Sequence, residues 1–148
     1  MATKTLLSAV AVAAVLMGCA HMVMVKPPPI DAQTLRCRTG QSCDIKVYVR
    51  CFLFWCEASV DQKLVVIEKG QKDVVIRWEL QDPHYKFAAN GIEFVTPPLP
   101  PPNEFKCRIL GPGDQRFQCV DAHDTSGIWK YNVNVIGVRT LDPWAANE

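Results

Sequence analysis

Between Cys43 and Cys51 the odd positions read Cys, Ile, Val, Val, Cys, while the even ones are mainly polar. A period of two is that of a strand with one face buried. Residues 64–68 are β-rich, and Lys69-Gly70-Gln71-Lys72 supplies a turn after them. Alternation returns over residues 73–80, where Val74, Ile76, Trp78 and Leu80 share a face. Gln81-Asp82-Pro83 ends that stretch, and residues 91–95 form a shorter apolar run. Residues 104–110 and 115–120 flank Gly111-Pro112-Gly113-Asp114, a hairpin signature. Residues 128–136 set Trp129, Tyr131, Val133 and Val135 on one face and Lys130, Asn132 and Asn134 on the other. No segment after residue 18 carries a helical stripe. About seven short strands with turns between them predict an all-β, antiparallel β-sandwich over residues 35–148.

The first residues follow another pattern. Lys4 gives a positive start, and Thr5 to Met17 is an almost wholly apolar run of 13 residues. A bilayer span needs about 20 residues, so this run reads as the apolar part of a secretion signal. Leu16-Met17-Gly18-Cys19 follows and resembles the lipobox of bacterial lipoproteins, with Met17 larger than usual at its position. The resemblance covers residues 1–19. It implies diacylglycerol on the Cys19 thiol, cleavage after residue 18 and acylation of the new amino terminus. The lipid bilayer is then the first expected partner. Ala20 rather than Asp after the lipidated Cys implies, by the same resemblance, the outer membrane facing the periplasm. Two alternatives stay open: an ordinary signal cut after Ala20, and an uncleaved anchor. Residues 19–34 contain Lys26-Pro27-Pro28-Pro29 and read as an extended, Pro-rich tether.

Seven cysteines in 148 residues is a high count. Setting Cys19 apart leaves Cys37, Cys43, Cys51, Cys56, Cys107 and Cys119, an even set in a chain read as exported, so oxidation is expected. A disulfide needs Cα atoms within about 7 Å, which bars Cys43 from Cys51 on one strand. Cys107 and Cys119 are equidistant from Gly113 and face each other across the hairpin, with Ile109 opposite Phe117. Cys37 and Cys43 bracket a turn-like RTGQS, and Cys51 and Cys56 bracket Phe52-Leu53-Phe54-Trp55. Sequential pairing is therefore the expectation. Some of those four apolar residues are expected to fill the core, since aromatics dominate small cores. The alternative is that a tight disulfide loop presents them outward to a partner or membrane.

Charge excludes one class. Lys4 is the only charged residue before Cys19, and without it 15 basic residues face 15 acidic ones. Such balance gives no support for binding nucleic acid. Residues 96–103 (TPPLPPPN) read as a stiff loop, with a ligand for a proline-recognising groove as the alternative.

The strand pattern is similar to immunoglobulin-like and cupredoxin-like domains. The closing GIWKYNVNVIGVRTLDPW resembles the ending of small bacterial β-sandwich proteins in which a G-x-Y-x-Y-x-V strand precedes an LDP segment. Here Trp129 stands at the first Tyr. That likeness spans about the last 20 residues and implies no activity. Cys119-x3-His123, with His84 upstream, resembles part of a cupredoxin copper site, which needs two His, a Cys thiolate and usually an axial Met. All four Met residues precede the domain, so no cofactor is expected and His84 and His123 are only weak metal candidates. Asp121, His123 and Asp124 read as a solvated turn, with a cation site as the alternative. There is no G-x-S-x-G, H-E-x-x-H or phosphate-binding Gly-rich loop. The expected function is thus a membrane-anchored cell-envelope lipoprotein with a non-enzymatic binding or structural role, open to an envelope protein partner. The alternative is a metal-binding, electron-transfer domain.

Overall fold

The structure is a computed structural model that describes residues 33–95 and 97–148; the signal, Cys19 and nearly all of the expected tether lie outside the described residues. Among the described residues ten strands follow one another: β1 Thr34–Cys37, β2 Cys43–Phe52, β3 Trp55–Val60, β4 Leu64–Ile67, β5 Val74–Leu80, β6 Phe87–Phe94, β7 Phe105–Leu110, β8 Arg116–Asp121, β9 Gly127–Val135 and β10 Trp144–Asn147. They form two sheets of five, ordered β1-β4-β10-β9-β6 and β3-β2-β5-β8-β7. The described residues contain no helix. The first strand begins at Thr34, the last residue of the expected tether.

The alternating faces are where the pattern put them. Cys43, Ile45 and Val47 of β2, Val74, Ile76, Trp78 and Leu80 of β5, and Trp129, Tyr131, Val133 and Val135 of β9 are all buried. Side chains of both sheets join in one core. At its centre the Trp78 Nε1–H donates to the Tyr131 hydroxyl at 3.3 Å, and the two rings meet nearly edge to face at 5.5 Å. The bond gives each aromatic a partner for a polar atom that burial would otherwise orphan.

Three strands were not foreseen. β1, β3 and β10 are short, and only β10 is mostly buried. The sheets are also mixed rather than wholly antiparallel. β4 runs parallel to both β1 and β10, and β2 runs parallel to β5. The cause is that the chain changes sheet between neighbours: the β2–β3 hairpin of one sheet separates β1 from β4, and β4 itself separates that hairpin from β5.

All three expected disulfides are present: Cys37–Cys43, Cys51–Cys56 and Cys107–Cys119. The last two join residues directly opposite each other on paired strands, and Ile109 does lie across from Phe117.

Gly91 sits where β6 bulges against β9. A Cβ there would lie 2.7 Å from Phe117 Cδ2 and 3.0 Å from Phe87 Cβ. Gly91→Ala should therefore lower stability by about 1–3 kcal/mol through overpacking. Urea titration would show it as a lower midpoint at unchanged slope, and an unchanged midpoint would mean that the Phe117 ring yields freely.

Candidate functional site at a disulfide-closed hairpin tip

β2 is longer than the strand beside it. Its pairing with β5 covers only Cys43↔Ile76 to Val47↔Leu80, because Gln81-Asp82-Pro83 stops β5. From Tyr48 onward β2 pairs with β3 alone, ending at Cys51↔Cys56 and Phe52↔Trp55. The hairpin thus overhangs the sheet, and its disulfide locks the last pair of positions before the tip.

Beyond that bridge Phe52, Leu53, Phe54 and Trp55 are 65%, 79%, 98% and 59% exposed. The expectation that some of them fill the core is corrected here. Past Val47 β2 has no neighbour on the β5 side, and beyond Val49 the hairpin leaves the core, so the tip residues are exposed to solvent. Leu53 adopts φ 52°, a left-handed conformation that a bulky residue takes only at a cost and that Gly or Asn would take more readily. The tip therefore carries two unfavourable features together, bare apolar surface and local backbone strain.

The base of the hairpin is held by the β5–β6 and β9–β10 connections. The Tyr85 hydroxyl lies 2.9 Å from Cys51 Sγ and 3.4 Å from Cys56 Sγ. The Arg139 N–H donates to the Cys56 carbonyl at 2.9 Å, and its guanidinium stands 6.0 Å from the Trp55 ring centre, at the outer limit of a cation–π contact. The Phe52 and Trp55 rings are 6.5 Å apart. Exposed Ile136, at the end of β9, lies at the same end of the sandwich.

The opposite end is polar. Glu104, Asp121 and Asn147 are buried there. Asn147 Nδ2–H donates to Glu104 Oε1 at 3.0 Å and to Asp121 Oδ1 at 3.2 Å. Glu104 Oε1 also accepts the backbone N–H groups of Asp124 and Thr125. Burial pushes the Asp121 carboxyl up to about 6, against the opposing pull of its Asn147 and His123 hydrogen bonds. Asp124 pairs with Lys72 at the surface, and that hydrogen bond holds the Asp124 carboxyl below its usual range. Residues 121–127 are thus a turn tied to both sheets, with Asp121 buried where a solvated turn was expected. No local pattern marks Glu104 or Asn147 as buried partners, since each lies far along the chain from Asp121.

The copper set is not assembled. Cys119 is bridged to Cys107 in the core. Asp121 at the end of β8 lies opposite Val74 at the start of β5, and Glu79 near the end of β5 opposite Arg116 at the start of β8. His84, just past β5, and His123, just past β8, consequently occupy opposite ends. His84 is exposed and its Nδ1 contacts Asp82 Oδ1 at 2.9 Å; His123 Nε2 meets the Glu148 carbonyl at 3.0 Å. Among the described residues no group of three or more His, Cys, Asp or Glu side chains could hold a metal ion. No protein-family model matches the chain, and no curated protein matches it significantly.

Proposed function

We propose that this chain is a cell-envelope lipoprotein, held by acyl chains on Cys19, whose sandwich serves a non-enzymatic binding or structural role. The observation that carries the reading is Leu16-Met17-Gly18-Cys19 directly after an apolar run too short to span a bilayer. Three disulfides in the domain are in keeping with an oxidising compartment. Ala20 favours the outer membrane, with the domain in the periplasm. Anchoring of this kind needs more than one chain, since each buried methylene contributes about 0.8 kcal/mol. The apolar tip is the surface most suited to contact another envelope component.

Mass spectrometry of membrane-extracted protein is the test. The mature chain should begin at Cys19 and carry acyl mass, and Cys19→Ser should remove that mass. A free Cys19 thiol, or a chain beginning at His21, would overturn the anchor.

A further inference from the structure

We infer that the Phe52–Trp55 tip is a second membrane contact, inserted among the headgroups of the same bilayer that holds Cys19. The inference rests on the anchored-lipoprotein reading for the nearness of that bilayer, and on three features of the fold for the rest.

The first is direction. Cys37 ends β1 and is bridged to Cys43, which starts β2. β2 then runs from Cys43 toward the tip, so β1 points away from it. Thr34 is therefore the end of β1 nearer the tip. The level is set by two backbone bonds, Lys63 N–H to the Gln33 carbonyl and Asp61 N–H to the Lys46 carbonyl. These place the start of β1 near Lys46, roughly 20 Å short of Phe52 at strand rise. Cys19 precedes Thr34 by 15 residues, a contour of about 50 Å. Anchor and tip can thus reach one surface with slack to spare, while the polar Glu104–Asp121–Asn147 end faces away from it.

The second is chemistry. A Trp and two Phe flanking a Leu suit the interfacial layer, where aromatic rings settle at headgroup depth. Exposed Arg50, Lys86 and Arg139 stand behind the tip, matched to anionic lipid headgroups. Of the acids at this end, Glu57 lies across the strand pair from Arg50, Asp82 contacts His84, and Asp114 sits in the β7–β8 turn beside Phe87.

The third is rigidity. The cross-strand disulfide and the Tyr85 hydroxyl hold the hairpin upright, so the tip needs no ordering when it meets the bilayer. The left-handed Leu53 keeps its side chain at the apex at the cost of strain.

Full-length lipidated protein would be reconstituted in phosphatidylethanolamine–phosphatidylglycerol vesicles containing acyl-brominated lipid. Trp78 and Trp129 are buried and Trp144 is half-buried, so Trp55 is the most exposed indole, and the comparison with W55F isolates its share of the quenching. Wild type should be quenched about twofold more than W55F if the ring sits at interfacial depth. The F52S/F54S variant should lose that excess while still floating with the vesicles. Equal quenching in wild type and W55F, with both proteins floating, would sink the tip contact and leave the anchor standing; a tip that meets a protein partner instead would give that result. Quenching of Trp55 in protein whose Cys19 mass shows no acyl chain would keep the tip contact and remove the anchor. Failure to float at all would overturn both.

Discussion

Full reduction of the three disulfides is expected to unfold the sandwich under conditions where the oxidised protein is stable. The bridges span 6, 5 and 12 residues of sequence. Chain-entropy reasoning assigns loops of this size about 2–3 kcal/mol each, close to about 7 kcal/mol together. A domain of this length is typically stable by about 5–15 kcal/mol. Loss of all three bridges therefore removes a share comparable to the whole. Urea titration with and without reductant, followed by near-ultraviolet circular dichroism, measures the difference. A reduced protein that kept the oxidised midpoint would mean that the core alone suffices. The bridges should not open together. Cys51 is exposed, whereas Cys37, Cys43 and Cys119 are almost fully buried. Brief reduction followed by alkylation should label Cys51 and Cys56 first, freeing the hairpin tip before the sandwich gives way.

The parts of the fold legible in the sequence are those where one strand faces water on one side. β2, β5 and β9 alternate because one face meets the core and the other meets solvent, and their buried sets follow the period-two pattern. β10 escaped notice for the opposite reason. It lies between β4 and β9, and Ala145, Ala146 and Asn147 are all buried, so no alternation exists to see. β3 escaped because Cys56, Ala58 and Val60 are its inward positions while Trp55 and Glu57 stay exposed, a weak contrast within six residues. The hairpin register was readable from Gly113 outward, and Cys107–Cys119 followed from it.

The tip shows the limit more sharply. Four apolar residues in a row state that surface is available to bury, but not against what. That depends on where β5 stops relative to β2, and relative strand ends are a property of the sheet. Gln81-Asp82-Pro83 held the signal: with β5 ended there, residues of β2 past Val47 have no neighbour on that side. The buried Asp121 was illegible for a related reason. Its partners Glu104 and Asn147 lie 17 and 26 residues away in the chain, and only the pairing of β7, β8 and β10 within the two sheets brings them together.

Asp121 should make the stability of the domain fall as pH rises from about 4 to 6. The residue closes β8, paired with Val74 of β5 and Phe105 of β7, and its carboxyl is fully buried. Oδ1 accepts from Asn147 and from the His123 N–H, while Oδ2 has no partner. Burial is the main cause that lifts its pKa from 3.8 to about 6, and the nearby Glu104 charge adds to it. The sign follows from proton counting. Between the unfolded and folded pKa the native state holds a proton that the unfolded chain has released, so the stabilisation is whole below about 4 and gone above about 6. A shift of about two pK units corresponds to about 3 kcal/mol. Asp82, Asp124 and Glu68 have lowered pKa values and act oppositely, losing their contribution only as pH falls below the ordinary carboxylate range, which leaves the window from 4 to 6 to Asp121. Asp121→Asn keeps an acceptor at Oδ1 and is neutral at every pH. It should flatten that window and raise stability at pH 7 by up to about 3 kcal/mol. Glu104→Gln should shift the window downward by removing the neighbouring charge while preserving an acceptor for Asn147. Urea midpoints at pH 4, 5, 6 and 7 for the three proteins measure both effects, and a wild-type profile flat across that range would show that Asp121 ionises at its ordinary pKa despite its burial.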